Sequence, residues 1–342
     1  MNLKYFSDPE DAENFEPFPL VFSRGSVAYE GNGSSLQTNQ PSFIEGSKGV
    51  YGLGVYERYT NLLTSSLSQD FNTAWTSGTL NGTYTITIKS GGGSITLSGG
   101  ATGTVTSGNS LTFTVTSSTV TFTPSGSCLN TIIINKPYPL PWIIGGTTRQ
   151  PDNCYIPKQE VQKFLDLNNA SIETIQHNTP SFSNNTTTNF LMRHQGTGIN
   201  NIFNIHKSHL HNNRLRYILF NNAGANSIIS GNKDLREGVN LVSMAWNPKR
   251  FVGVQNKVLN GTPVNNPNIP NFHFNIFLGA NNILEHNNGF IKSFIFSEYR
   301  SDAELIIRQK FAEANGYYPI DDKVTAFLDL ESGLRGYRRT TQ

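Results

Sequence analysis

Three histidines, His206, His209 and His211, fall within six consecutive positions. In an extended segment His209 and His211 share a face, at a spacing that suits two imidazole ligands of one metal ion. No carboxylate or cysteine stands beside them to complete a ligand set. The cluster therefore reads either as a metal site or as exposed strand and turn histidines. Glycoside hydrolysis needs two carboxylates about 5–9 Å apart across the sugar bond. The acids Glu298, Asp302 and Glu304 lie instead at a turn and a helix start, where the helix N-terminus favours negative charge. No Gly-x-Ser-x-Gly elbow and no phosphate-cradling glycine loop occurs. This census points away from an enzyme. Aromatic faces stack on sugar rings, but Trp75, Trp142 and Trp246 each sit among apolar strand residues, where core packing accounts for them. Tyr317 and Tyr318, beside Pro319, are better placed as exposed ligand-binding aromatics.

The elements that would position such residues belong to a chain of 342 residues, long enough for two ordinary domains. Only 15% of the residues are charged and the net charge is +2, so nothing electrostatic calls for nucleic acid or an anionic membrane as partner. The one dense basic run, Arg335, Arg338 and Arg339, reads as a solvated tail. About 40 asparagines, with abundant Gly, Ser and Thr, polarise a surface without charging it. Two cysteines, Cys128 and Cys154, are too few for a secreted disulfide scaffold; whether they pair is open. No basic segment followed by an apolar run opens the chain, and no stretch approaches the ~20 apolar residues that span a bilayer. The expectation is synthesis in the cytoplasm without a signal peptide and without membrane insertion.

Hydropathy patterning makes the chain all-β: two antiparallel β-sandwich, jelly-roll-like domains with one short C-terminal helix. Residues 1–59 read as an acidic, Pro-containing arm and attachment segment. Residues 60–136 alternate apolar and polar positions (Tyr84, Ile86, Ile88; Ile95, Leu97; Val105, Leu111, Phe113, Val115; Val120, Phe122), the period of strands with one buried face. No helix is expected there, Gly91–Gly93 reads as a hairpin turn, and Ile132–Ile134 as a central strand. Residues 137–159, with Pro137, Pro139 and Pro141, form a strap. Residues 160–320 make a second β-rich domain with strands over 201–205, 215–220, 239–246, 251–259, 272–278 and 289–296. Asn260-Gly261 is the hairpin dipeptide there. A helix begins at the N-cap Ser301, with Asp302 and Glu304 in its first turn, and stops at Gly316. Residues 321–342 read as a polar tail.

Several phrases resemble those of bacteriophage minor structural proteins. They are Phe22-Ser23-Arg24, Ala28-Tyr29 and Asn39-Gln40-Pro41-Ser42-Phe43, then Gly52-Leu53 with Arg58 and Thr60-Asn61-Leu62-Leu63. Phe71-Asn72-Thr73-Ala74-Trp75 follows, and then Pro141-Trp142-Ile143 and Thr147-Thr148-Arg149 with Asp152. Between them the small sandwich resembles a carbohydrate-binding module. The second domain resembles a concanavalin A-like, laminin G-like sandwich through Val239–Trp246, Val254–Gly261, Leu278-Gly279, Gly289-Phe290-Ile291 and the helix after Ser301. The resemblance implies a virion location and other virion proteins as partners, with Phe18, Phe22 and Arg24 serving assembly. It also implies a homo-oligomer, taken as a trimer. A tail or fibre appendage that binds a host surface glycan or protein is one role. A head fibre, decoration or connector protein with a purely architectural role is the other. No cofactor is expected beyond a possible metal ion: fibres of this group hold metals on a threefold axis, which would use the histidines. Laminin G-like modules bind calcium, for which Asn232, Asp234, Glu237 and Asn240 are the candidates.

Overall fold

Period-two alternation is realised as antiparallel sheets throughout. The computed structural model describes residues 9–29, 35–43, 53–178, 189–194, 203–208, 214–221, 223, 225–235, 238–281, 285–286, 289–331 and 333–340. The chain divides into two units, each assembled from separated stretches. One takes residues 1–23, 41–55 and 152–342; the other takes residues 24–40 and 56–151.

In the smaller unit the long strand Leu80–Gly91 lies between Ser110–Ser118 and Cys128–Ile134. A second sheet orders Gly103–Thr106, Ser94–Gly99, Val120–Ser125 and Trp75–Thr76. The inward residues are those the alternation selects: Tyr84, Ile86, Ile88, Ile95, Leu97, Val105, Phe113, Val115, Val120 and Phe122 form one core, with Leu111 at its margin. Outward threonines pair across strands, Thr83 with Thr114 at 3.2 Å and Thr87 with Ser110 at 2.7 Å, the hydroxyl pairing that suits a half-solvated pleated face.

Three local expectations fail in this unit. Gly91–Gly93 is not a hairpin turn, because Leu80–Gly91 and Ser94–Gly99 belong to different sheets and the glycines carry the chain from one layer to the other. Gly91 has φ +105°, and a Cβ there would strike the Ser127 carbonyl; only glycine fits that corner. Cys128–Ile134 is an edge strand, not a central one. Ile132 and Ile134 are nonetheless fully buried, as are Tyr138, Leu140 and Ile143 of the Pro-rich stretch. A short helix, Ser65–Gln69, also stands where none was expected, its first turn capped by the Thr64 hydroxyl.

The larger unit is a sandwich of two sheets. Seven strands follow the order Val21–Ser23, Asn153–Ile156, Ile276–Leu278, Asn189–His194, Phe203–Ser208, Arg214–Phe220 and Asn226–Asp234. The main path of the opposing sheet runs Phe15–Phe18, Arg335–Arg339, Val324–Asp329, Gly289–Glu298, Ala170–Asn178, Gly238–Asn247, Arg250–Gln255 and Val258–Leu259. Between the sheets lies one core, with Phe203, Ile205, Leu215, Tyr217 and Leu219 facing Ile172, Val242, Met244, Trp246 and Phe294. The larger sheet is buried on its other face too. There Ile175, Leu241, Ile295 and Phe327 join Ala312, Tyr318 and Ile320, and Ala245, Val252 and Val254 pack with Leu305. Double burial explains the near-continuous apolar runs of these strands.

The helix Asp302–Asn315 covers this second face. It opens on a capping box between Ser301 and Glu304 and closes on Gly316 at φ +78°, as the sequence predicts. A second helix, Lys158–Phe164, inserts Val161 and Phe164 into the main core. The segment 321–342, which reads as a tail, instead supplies the strands Val324–Asp329 and Arg335–Arg339. The acidic arm supplies Phe15–Phe18, paired with Arg335–Arg339. Both are strands because Phe15, Phe18, Val324, Phe327 and Leu328 have buried faces to fill. The hairpin after Phe251 turns at Asn256-Lys257, both at positive φ, and not at Asn260-Gly261. Asn260 is buried and accepts the Asn232 and Lys233 amides at 2.9 and 3.1 Å.

Candidate functional site

Of the two outer faces of the larger sandwich, one is sealed. Under the helix Asp302–Asn315 the carboxylate of Glu173 is fully buried and accepts two bonds from Arg308 Nε, at 2.6 and 2.8 Å. Arg308 also reaches Asp321 at 2.9 Å and the Pro319 carbonyl at 2.9 Å. Arg300 joins Asp321 at 2.5 Å and Ser297 at 3.1 Å. Burial alone would raise the Asp321 carboxyl, but the Arg300 hydrogen bond and the two guanidinium charges hold it below its ordinary value. A charge network this fully paired fixes a helix to a sheet. Glu173 is closed to any substrate.

The other outer face belongs to the seven-stranded sheet. Alternation decides what points there: Phe203, Ile205, Leu215, Tyr217, Leu219, Ile276 and Leu278 face the core, so their neighbours in each strand face away. Register places Tyr155 beside Phe277, Phe277 beside Arg193, Arg193 beside Asn204, Asn204 beside Ile218 and Ile218 beside Ile228. One step along, His206 stands beside Arg216, and Arg216 beside Ser230. At the edge Arg214 pairs with Asp234 at 3.0 Å. The rings of Tyr155 and Phe277 lie 5.5 Å apart at 41°. Tyr155, Phe277, Arg193 and Arg216 are half-buried, while Asn204 and His206 are buried. His206 Nδ1 and Asn204 Oδ1 are 2.7 Å apart, so the imidazole nitrogen is the donor. The Nε of Arg216 is buried and meets no hydrogen-bond acceptor among the described residues. Burial lowers the Arg216 guanidinium from its ordinary value.

This arrangement gathers some of the residues that the sequence singles out and disperses the rest. His206 lies on the face; His209 and His211 fall outside the described residues, as does Glu237. Among the described residues no group of three or more His, Cys, Asp or Glu is placed to hold a metal ion. Asn232 and Asp234 are exposed on the edge strand Asn226–Asp234, and Asp234 is engaged by Arg214. Asn240 is buried and bonded to Asn256 at 3.1 Å.

Tyr318 is not an exposed aromatic. It is fully buried against the helix, and burial pushes its phenol well up. Tyr317 is half-buried and meets Phe311 edge-on at 5.7 Å. Phe18 packs in the core against Phe164 at 5.5 Å. Arg24 is 1% exposed and donates to the Ser26 and Gln37 carbonyls at 2.9 and 3.0 Å. Both residues are buried within the fold, and Phe22 is half-buried. Trp142 and Trp246 are core residues, with Trp246 Nε1 on the Leu167 carbonyl at 2.7 Å, and Trp75 is half-buried against Phe122. Cys128 and Cys154 are both buried and free. Sequence reading missed Arg193, Asn204, Arg216, Tyr155 and Phe277. The available signal was their alternation with apolar neighbours, which does not say which face of a sheet a helix covers.

Part of the phrases that carry the bacteriophage resemblance, from Arg58 to Leu63 and from Pro141 to Arg149, meets in the smaller unit. Asn61 is fully buried; its amide donates to the Ile143 carbonyl at 2.8 Å and its oxygen accepts the Leu63 and Ile133 amides at 3.2 Å each. Trp142 Nε1 donates to the Ser68 and Thr131 carbonyls. Thr148-Arg149 pairs as a strand with Tyr59-Thr60, and the Arg149 guanidinium lies 5.0 Å from the Tyr56 ring centre. Phrases some eighty residues apart thus close one seam.

No protein-family model matches this chain, and no curated protein matches it. Solved structures do. The receptor-binding domain of botulinum neurotoxin mosaic serotype C/D aligns at 11% identity and a TM-score of 0.37, over 47% of this chain and 40% of that one. The SAP-like pentraxin of Limulus polyphemus aligns at 15% and 0.36, over 49% of this chain and 82% of that one. Tailspike protein 2 of bacteriophage CBA120 aligns at 12% and 0.37, over 54% of this chain and 29% of that one. The chain thus spans less than half the length of the neurotoxin domain and of the tailspike. These are likenesses of fold alone. The fold itself defines the class: an all-β protein of sandwich units with a C-terminal helix. No helix among the described residues is long and apolar enough to cross a membrane.

Proposed function

We propose that this chain is a bacteriophage virion appendage protein that binds a host-surface glycan through the outer face of its seven-stranded sheet. The observation that carries the reading is the contrast between the two outer faces of the larger sandwich. One is closed by a helix over a paired charge network. The other carries a half-buried aromatic pair, Tyr155 and Phe277, beside the half-buried Arg193 and Arg216, with Asn204 and His206 buried among them. Such sites pair apolar aromatic area with a few polar groups that fix orientation. The virion assignment is supported by the ordered phrases, of which those around Tyr59–Leu63, Pro141–Ile143 and Thr147–Arg149 join in one seam of the smaller unit. The reading is of a binder and not an enzyme; the fully buried carboxylate of Glu173 is occupied by arginine.

Localisation in the intact particle by cryo-electron microscopy, followed by glycan-array binding of the full chain, tests this. Density placing the seven-stranded sheet outward, with array binding lost in Tyr155→Ala and Phe277→Ala, is the expected result. Both sandwiches packed wholly against capsid or connector subunits would make the protein architectural, and absence from any particle would remove the virion reading.

A further inference from the structure

We propose that the edge strand Ser110–Ser118 of the smaller unit is a subunit contact, pairing antiparallel with the same strand of a second copy of this chain. Three features of the strand point to that occupant: the backbone it leaves unpaired, the guards it lacks, and its match to itself.

Ser110–Ser118 pairs on one side, with Leu80–Gly91. The Asn109 carbonyl accepts the Ile88 amide at 3.2 Å, and Ser110 stands opposite Thr87. Antiparallel alternation then aims the backbone N–H and C=O of Leu111, Phe113 and Val115 at Leu80–Gly91, and those of Ser110, Thr112 and Thr114 away from it. Side-chain spacing agrees, since Thr112 Oγ1 and Thr85 Oγ1 lie 2.9 Å apart, the close approach of a pair without backbone bonds between its members. No described strand takes up the outward groups. The opposite edge of the same sheet, Cys128–Ile134, is closed: the Ile133 carbonyl accepts the Leu62 amide and the Cys128 carbonyl the Phe71 amide, each at 2.9 Å.

Exposed edges are ordinarily guarded by charge, proline or brevity. In the larger unit Phe15–Phe18 carries Glu16 and Pro17, and Asn226–Asp234 carries Lys233 and Asp234. Val21–Ser23 and Val258–Leu259 are three and two residues long. In the other sheet of the smaller unit the edges Gly103–Thr106 and Trp75–Thr76 are four and two residues long. Ser110–Ser118 runs for nine residues without a charge or a proline. Residues 90–135 as a whole hold no Asp, Glu, Lys, Arg or His. A bulge interrupts the strand late, with Ser117 at φ +46° and the register shifting between Val115 and Ser118. It ends the pairing there and leaves residues 110–115 in regular register.

By residue type the strand reads the same in both directions about Phe113: Leu111-Thr112-Phe113-Thr114-Val115. A two-fold axis at Phe113 sets Thr112 opposite Thr114 of the second copy and Leu111 opposite its Val115, twice over. Hydroxyl meets hydroxyl on the outer face, where Thr112 and Thr114 are exposed. Apolar meets apolar on the core face, where Phe113 and Val115 are buried and Leu111 is half-buried. Thr112 and Thr114 are also the residues whose N–H and C=O point outward, so each facing pair exchanges both backbone bonds. Such a contact is isologous and closes at two chains; a strand from an unrelated protein would require no such symmetry.

The test is sedimentation velocity of the full chain over a concentration series, with amide hydrogen exchange read along residues 110–115. Thr112→Lys/Thr114→Lys sets like charges opposite one another across the axis, and Thr112→Lys/Thr114→Glu sets opposite ones. Thr114→Pro removes an outward N–H and spares the ladder to Leu80–Gly91. Thermal melts report the fold, and a variant that does not fold leaves the others to decide. The wild type should reach a dimer, with exchange at the Thr112 and Thr114 amides slowing as concentration rises while Leu111 and Phe113 stay protected throughout. The double lysine and proline variants should weaken association about tenfold or more, and the lysine–glutamate variant should restore it. A monomer at every concentration, or a dimer that none of the variants alters, would overturn the contact. Lysine–glutamate chains that associate no better than the double lysine would overturn the two-fold register, and mass growing past two chains without limit would show open edge aggregation in place of a closed pair.

Discussion

Asn61 shows how much a single buried amide organises. Its oxygen and nitrogen meet the backbone of three segments, at Leu63, at Thr131 and Ile133, and at Ile143. Asn61→Ala leaves those donors and acceptors buried with no side chain to answer them. The expected loss is about 2–4 kcal/mol, read as a lower urea midpoint for the transition reported by Trp142 fluorescence. Gly253 makes the opposite case: an added Cβ would lie 2.5 Å from the Tyr217 ring. Gly253→Ala therefore costs about 1–3 kcal/mol by overpacking, measurable in the same way. Neither role is legible in the sequence. Asn61 sits in a recognisable phrase, but its type fits a turn as well as a clasp, and apart from Leu63 its partners lie seventy residues or more away. The same holds for the outer face of the seven-stranded sheet. Arg216 and Asn204 alternate with Leu215, Tyr217, Phe203 and Ile205, so the strands can be read; which side of the sheet a helix would cover cannot. Asn260-Gly261 misled for a related reason. Buried Asn260 serves the neighbouring edge strand, while the turn uses Asn256 and Lys257 at φ 48° and 69°.

Among the elements, the helix Asp302–Asn315 was the most legible, because its start and stop are written in local chemistry that tertiary packing did not override. Removing its cap, Ser301→Ala, should cost about 1 kcal/mol in thermal or urea unfolding. Its Glu304 links that cap to acid. Burial would raise this carboxyl, but the Lys323 hydrogen bond and the Ser301 backbone and hydroxyl bonds pull it down to about 2, against an ordinary 4.5. With the folded value below the unfolded one, its contribution is complete above about pH 4.5 and lost as pH falls toward 2. The side chain is 38% exposed, so solvent screening keeps the effect under about 1 kcal/mol. Urea midpoints of the wild type and Glu304→Gln should differ at pH 6 and converge near pH 2. The strand Ala170–Asn178 was illegible for the opposite reason. It lies at the middle of the larger sheet, yet carries Glu173 and Gln176, both buried. A polar residue on a doubly covered strand breaks the apolar run that identifies such strands, and its justification, Arg308, is 135 residues away. Arg308→Met strands the Glu173 charge and should cost about 3–5 kcal/mol, whereas replacing both partners with apolar residues of similar volume should recover much of that loss.

At the scale of the whole molecule, the larger sandwich is discontinuous in sequence, and that fixes what Phe15–Phe18, Val21–Ser23 and Leu53–Val55 do. Val21–Ser23 pairs with Asn153–Ile156 in the seven-stranded sheet. Phe15–Phe18 pairs with Arg335–Arg339, and Leu53–Val55 pairs with Gly289–Ile291, in the opposing sheet. An acidic arm with prolines looked like a tether because its composition is that of exposed chain. Phe15 and Phe18 are nevertheless only 5% exposed, and the pairing that buries them lies at the far end of the sequence, where no local pattern announces it. The closing strand is itself held at both sides, since Arg338 forms ion pairs with Glu16 and with Glu160. A fragment running from residue 160 to 320, the span that patterning alone marks as a domain, lacks all of these strands together with Asn153–Ile156, Val324–Asp329 and Arg335–Arg339. Its edges expose unpaired backbone along Gly289–Glu298 and Ile276–Leu278, which invites strand-to-strand aggregation. Expressed alone it should be insoluble or melt without a cooperative transition. The full chain should instead unfold cooperatively, and deletion of residues 1–20 alone should lower its melting temperature by several degrees, because removing Phe15 and Phe18 empties two core positions. A soluble, cooperatively folding 160–320 fragment would show that the terminal strands are additions to a sandwich complete without them.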